Sequence, residues 1–185
     1  MKVIEYEERV LISEIDYHKV IADTKLQGKK LSHLEIENIY LDNKEKDIRN
    51  KGWMLRIRNT NSASQELTLK YRNPDNSTVE INETLEEHPE IEKILGSKLD
   101  NFQEITRLKT ERIEAQFEDF LLVIDKNSYS GIIDYDLEIE SDEQTKSKKI
   151  LEIYCEKYGL LYDSLYKTKS QRAFEQLDIK MRPND

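Results

Sequence analysis

The chain has 185 residues, enough for one domain that buries a core without disulfides or a structural metal. Its 29 Lys and Arg stand against 38 Asp and Glu, and the formal net charge of −9 argues against bulk nucleic acid or an anionic membrane as partner, since both need a basic face. The single cysteine, Cys155, excludes an intrachain disulfide and a cysteine-rich zinc site, and the scattered His18, His33 and His88 argue against a zinc hydrolase.

Charged residues make up 36% of the chain and apolar ones 37%, a balance that raises the question of disorder. Ten Tyr, four Phe and one Trp set among apolar alternations answer it in favour of a folded chain. The longest apolar run, Phe120 to Ile124, is far short of the ~20 residues that cross a bilayer. Residues 1–5 have no apolar signal core, so the cytoplasm is the expected address.

In chain order, residues 2–12 alternate as a strand with Glu5, Glu7 and Arg9 on one face. Residues 13–27 predict a helix, with Ser13 and Asp16 suited to its start and Tyr17, Val20, Ile21 and Thr24 at helical spacing. Strands are predicted at 35–42, 53–58, 65–72 and 78–84, with a loop at 59–64 and a turn at 73–76. Pro89 opens a short helical region carrying Ile91, Ile94 and Leu95. Strands at 105–116 and 119–125, turn residues from Asn127 to Gly131, and a strand at 133–140 follow. Helices at about 142–158, closed by Gly159, and about 163–177 complete the chain. His18 and His33 read as surface residues, Tyr129 as a structural turn residue and Cys155 as a core thiol. About eight strands joined by short connections predict one α+β domain over 1–185, mainly antiparallel β, with the sheet curved into a barrel and helices outside.

The polar faces of these strands are unusual. They carry like charges in doublets: Glu5/Glu7, Arg56/Arg58, Lys70/Arg72 and Glu138/Glu140. Residues i and i+2 of a strand share a face, so each doublet concentrates one sign of charge on one side. A solvated face explains any single doublet, and an acid-x-acid-x-base string such as Glu5 to Arg9 arises about once by chance in such a chain. In a closed barrel the same faces would line a wet channel. Acid pairs are hard oxygen ligands for Mg2+ or Mn2+, and Arg and Lys rows match phosphate oxygens, so a polyanion with a divalent cation would neutralise both. Glu80 either ligates metal or pairs with Arg72 across a turn. Asp125 is either functional or a turn cap. Lys169 and Arg172 form either a solvated helical stripe or a phosphate contact.

These residues together resemble the CYTH superfamily, the triphosphate tunnel metalloenzymes. Glu5-Tyr6-Glu7-Glu8-Arg9 is similar to its ExExK signature, and residues 38–59 resemble its second block, ending in LRIR. Leu67 to Lys70 resembles the LTLK strand, Lys109 to Arg112 the later basic strand, Val123 to Asp125 and Tyr135 to Glu140 the closing strands, and Lys169 and Arg172 basic positions of the C-terminal helix. The likeness covers about residues 3–175 and looks closest to small CYTH proteins of Gram-positive bacteria.

The resemblance implies a closed eight-stranded β-barrel with a charged interior, binding a triphosphate-bearing small molecule with one or two Mg2+ or Mn2+ ions. Glu5, Glu7, Glu138 and Glu140, with Glu80 and Asp125 as further candidates, would hold metal. Arg9, Arg56, Arg58, Lys70, Lys109, Arg112, Lys169 and Arg172 would bind phosphate. The implied activity is hydrolysis of inorganic triphosphate or a short linear polyphosphate. A class IV-type adenylate cyclase, a thiamine triphosphatase and a non-catalytic binder of polyphosphorylated ligands are the alternatives on the same scaffold. Arg9 departs from the signature lysine: charge is kept, but a planar fork replaces a compact donor, and catalysis is the property this touches.

Overall fold

In the computed structural model, residues 6–61, 65–72, 78–162 and 167–180 are described, with backbone alone for Thr78 and Lys180. The strands are β1 (Tyr6–Ile12), β2 (Leu31–Asp42), β3 (Met54–Thr60), β4 (Glu66–Arg72), β5 (Thr78–Thr84), β6 (Gln103–Gln116), β7 (Leu121–Tyr129) and β8 (Ile132–Ser141). The helices are α1 (Glu14–Leu26), α2 (Asp47–Asn50), α3 (Pro89–Leu95), α4 (Gln144–Tyr158) and α5 (Lys169–Lys180). The eight strands make one antiparallel sheet in the order β1-β8-β7-β6-β2-β3-β4-β5, an α+β fold with flanking helices. The described residues fall into two compact units, one within 1–35 and 110–167, the other within 36–109 and 168–185. Among the described residues no helix is long and apolar enough to cross a membrane.

In the first unit, alternation gives each strand one apolar face. Val10 and Ile12 of β1, Ile113 and Ala115 of β6, Leu122 and Ile124 of β7, and Leu137 and Ile139 of β8 cluster with Tyr17 and Val20 of α1 and with Leu151, Cys155 and Tyr158 of α4. Leu122, Ile124, Leu137, Ile139 and Leu151 are completely buried, and each such side chain contributes about 1.5–3 kcal/mol over exposure. Helix α1 starts where expected: Ser13 Oγ accepts the Asp16 amide hydrogen bond at 3.1 Å and donates to the Asp16 carboxylate at 2.6 Å. The turn predicted from Asn127 to Gly131 is shorter. Tyr129 pairs with Ile132, leaving Ser130 and Gly131 as a two-residue hairpin turn with positive φ at both, 50° and 83°. Asn127 therefore stays in β7 with its side chain on the charged face.

In the second unit, Ile39 and Leu41 face Ile57 and Leu55 across β2 and β3, and Leu55 and Ile57 face Leu69 and Leu67 across β3 and β4. Ile48 of α2 and Ile91 of α3 join this apolar face. The Glu83 carboxylate accepts the amides of Glu90 and Ile91 at 3.2 and 2.8 Å, satisfying donors that the first turn of α3 leaves open. Helix α5 starts later than predicted, at Lys169; residues 163–166 lie outside the described part. The cause is a capping box: Thr168 Oγ1 accepts the Gln171 amide at 3.3 Å, and Gln171 Oε1 accepts the Thr168 amide at 2.8 Å.

Candidate functional site

Turning the apolar faces to the helices leaves each unit a second face, and the two differ in sign. In the first unit, Glu7 lies opposite Glu140, and Arg9 opposite Glu138, across β1 and β8. On the other side of β8, Val123, Asp125 and Asn127 face Glu138, Asp136 and Asp134. Glu7, Glu138 and Glu140 each offer one carboxylate oxygen, and these lie within 4.8 Å of one another. Three hard oxygen donors at that separation suit Mg2+ or Mn2+ better than a soft or imidazole-seeking metal.

Arg112 organises the acids around this trio. It donates to both Asp125 oxygens at 3.0 and 2.9 Å and to Glu138 at 3.2 Å, with Glu114 at 3.7 Å and Glu140 at 3.8 Å. Burial works against its charge, but Asp125, Glu138 and Glu140 outweigh burial and hold its pKa above the ordinary range. Arg9 pairs with Glu7 and lies 3.4 Å from Glu138. Beyond the trio, Asn127 donates to Asp136 at 2.6 Å and to Asp134 at 3.1 Å, while its oxygen accepts Thr110 Oγ1 at 2.8 Å and Tyr129 donates to Asp134 at 2.5 Å. Among the described residues this face carries Glu7, Glu114, Asp125, Asp134, Asp136, Glu138 and Glu140 against Arg9 and Arg112 alone. Asp125, Asp136 and Glu138 are almost wholly buried. Arg112 and Asn127 offset part of the cost of burying these charges, and the mutually close oxygens of the trio suit a divalent cation.

In the second unit the charged face is cationic. Arg56 and Arg58 of β3 lie opposite Tyr40 and Asn38 of β2, and Lys70 of β4 lies opposite Glu80 of β5. Arg58 Nε donates to Asn38 at 3.3 Å. Glu80 lies 3.2 Å from Lys70 and 3.6 Å from Arg56. Burial pushes the Glu80 carboxyl up, but Lys70, Arg56 and Arg58 together pull it below its ordinary value. Tyr40 is 2% exposed, and burial raises its hydroxyl pKa against the opposing field of Arg56, Lys169, Arg58 and Arg172. Arg56 lies opposite Tyr40 and Phe174 of α5 packs against its ring, so the positive charges of β3 and α5 both act on this buried hydroxyl. The buried Arg56 Nε has no hydrogen-bond partner among the described residues, an open donor suited to an anionic oxygen.

The structure brings Glu7, Glu138 and Glu140 together, joins Asp125 to Arg112, and sets Arg56 and Arg58 on one face of β3, with Lys169 and Arg172 on the helix whose Phe174 packs against Tyr40. Asp125 is no turn cap; it is a completely buried mid-strand residue. Glu80 pairs with Lys70 and Arg56, not with Arg72, which lies opposite Thr78. Glu5 lies outside the described residues. Lys109 does not join the cations: its side chain is 71% exposed and sits 3.7 Å from Glu37. Residues three apart on a strand point to opposite faces, so Lys109 and Arg112 cannot share one. Asp136 shares the polar face with Glu138 and Glu140 that alternation predicts for 133–140, Asn127 is a strand residue of that face and not a turn residue, and Asn38 and Tyr40 enter only through the parity of β2.

The CYTH domain family profile matches residues 3–172. Among solved structures, a protein from Bacillus halodurans named provisionally as an adenylate cyclase is 24% identical, with TM-score 0.74, covering 92% of this chain and 97% of that one. A provisional adenylyl cyclase from Hippeastrum, described as having a dominant triphosphatase activity, is 20% identical with TM-score 0.71, covering 92% and 96%. A Pyrococcus horikoshii protein is 20% identical with TM-score 0.62, covering 97% and 100%. At these identities the likeness establishes the fold. No curated protein matches the chain.

Proposed function

The chain belongs to the CYTH domain family, and on that premise we propose that it is a divalent-metal-dependent hydrolase of inorganic triphosphate or a similar short linear polyphosphate. The observation that carries the reading is the segregation of charge: an acid trio with mutually close oxygens on one unit, and cations gathered from β3 and α5 on the other.

Glu7, Glu138 and Glu140 would hold Mg2+ or Mn2+. Such an ion, when bound, screens phosphate charge and acidifies a coordinated water. Arg112 keeps Asp125 and Glu138 in place by charge-assisted hydrogen bonds. Arg56, Arg58, Lys169 and Arg172, with Lys70 at the rim, bind phosphate oxygens and stabilise charge that develops in transfer. In the reaction a water oxygen bonds to the terminal phosphorus, the bridging P–O bond breaks, diphosphate leaves and the water's proton passes to solvent. The Hippeastrum relative's dominant triphosphatase activity supports hydrolysis over cyclisation.

Arg9 favours a second reading. It occupies Glu7 and Glu138, the same carboxylates that metal needs, which suits a binder of polyphosphates with little turnover. Phosphate release from inorganic triphosphate, ATP and thiamine triphosphate, with Mg2+ or Mn2+ and with EDTA, decides between them. Metal-dependent release that prefers bare triphosphate supports the hydrolase. No release, with triphosphate still raising the melting temperature, supports the binder.

A further inference from the structure

Outside the proposed metal and phosphate residues, Asp42 at the end of β2 is a densely bonded polar centre of the second unit. It is completely buried. One of its oxygens accepts the amides of Asn43 and Ile48, at 2.9 and 3.0 Å. The other accepts the Arg49 amide and the Arg49 Nε, both at 3.3 Å. A carboxylate held by this many donors is fixed in place, and it fixes Arg49 in turn.

The far end of the Arg49 guanidinium does not stay on α2. Its Nη1 donates to Asp178 of α5 at 3.1 Å, and the guanidinium lies 5.9 Å from the centre of the Phe174 ring. Phe174 in turn packs edge-on against Tyr40, with ring centres 5.1 Å apart. Arg49 therefore ties the end of β2 to the side of α5 that carries Phe174 and Asp178. Ala173 is completely buried and Arg172 is 8% exposed, so the helix is seated on another side as well.

We propose that Arg49 is a positioning residue for phosphate binding: by bridging Asp42 to Asp178 and stacking near Phe174, it seats α5 so that Lys169 and Arg172 reach the cation set of β3. The proposal rests on the reading of that set as the phosphate site. Arg49 itself is not counted among the residues that touch substrate. Seating matters because Phe174 of α5 packs on Tyr40, the residue opposite Arg56, so that contact sets where α5 stands against β3. Arg49 holds the Phe174 and Asp178 side of the helix there. By linkage, an anion that bridges β3 and α5 must also strengthen the seating of α5.

The test is a double-mutant cycle read by calorimetric binding of triphosphate in EDTA. Arg49→Ala should weaken binding roughly tenfold, the scale of a displaced charge-assisted contact. In a Lys169→Ala/Arg172→Ala background the same change should cost nothing further, because the groups it positions are gone. Asp178→Asn, which removes only the half-exposed end of the bridge, should show the same pattern more weakly and serves if Arg49→Ala does not fold. Triphosphate should also slow amide exchange in α5 of the wild type, and less so in Asp178→Asn. Equal losses in both backgrounds, or no loss in either variant, overturn the proposal. Failure of the wild type to bind triphosphate removes the phosphate site itself, a separate result from either.

Discussion

The two units solve the same packing problem and arrive at opposite charge. Each turns an alternating apolar face toward its helices, through Leu122, Ile124, Leu137 and Ile139 in one and Leu55, Leu67 and Leu69 in the other. Each leaves a face free for chemistry. On the first unit that face is acidic among the described residues, and Arg9 and Arg112 there pair with carboxylates. On the second the described strand residues Arg56, Arg58 and Lys70 share the face with Glu66 and Glu80, and Glu80 pairs with Lys70 and Arg56. Burial alone favours neither arrangement, since excess charge of one sign raises the free energy of the empty protein. On the function proposed above, the difference reads as a division of labour, with the acid trio for a cation and the β3 cations for an anion.

The contrast is broken most severely by neutralising the acid trio. Glu138→Gln should abolish metal-dependent turnover and remove Mn2+ binding seen by titration calorimetry, with the fold intact by circular dichroism; full activity would take Glu138 out of the metal site. On the cationic side, Arg58→Ala should weaken triphosphate binding by about 2–3 kcal/mol, the range for a hydrogen bond to a charged group. An unchanged dissociation constant would dissolve the phosphate assignment of β3.

Glu80 gives the smallest and most discriminating effect. If it only occupies Lys70 and Arg56, Glu80→Gln should tighten triphosphate binding a few-fold, on the order of a part-exposed ion pair. Loss of turnover would instead make it a metal ligand. Its carboxyl pKa is lowered in the folded state by Lys70 and Arg56 acting against burial. Its ion pairing therefore stabilises above the ordinary glutamate pKa and is lost as pH falls through the lower folded value. Acid titration of stability should be shallower in Glu80→Gln across that acidic window; identical profiles would deny the pairing.

Much of the fold was legible because period-two alternation is a local signal. All eight strands were predicted from it, and Ser13 marked the start of α1. What failed was what the alternation does not encode. Helix α2 is too short for a periodic stripe, and its N-cap, Lys46, makes no side-chain capping bond; Asn43 accepts the Asp47 amide at 2.9 Å from outside the helix. The Thr168–Gln171 capping box was readable and would have moved the start of α5 to Lys169. Ser130 is a non-glycine residue at positive φ, which hides the tight turn of the β7–β8 hairpin.

For the site, parity alone separates Lys109 from Arg112 and puts Tyr40 beside Arg56 once β2 is paired with β3. The partners of Arg112 were not legible. They lie on β6, β7 and β8, and strand order and register are long-range properties that no local pattern records. The same holds for Arg49 and Asp178, separated by most of the chain and joined by one guanidinium.

The central claim is that metal and phosphate are held by different units, and crossed calorimetric titrations test it most directly. Mn2+ alone, and triphosphate in EDTA, are titrated into wild type, Glu138→Gln and Arg58→Ala. The account predicts a crossed pattern, in which Glu138→Gln loses Mn2+ and keeps triphosphate while Arg58→Ala keeps Mn2+ and loses triphosphate. Loss of both ligands in either variant, or of neither in both, would contradict it.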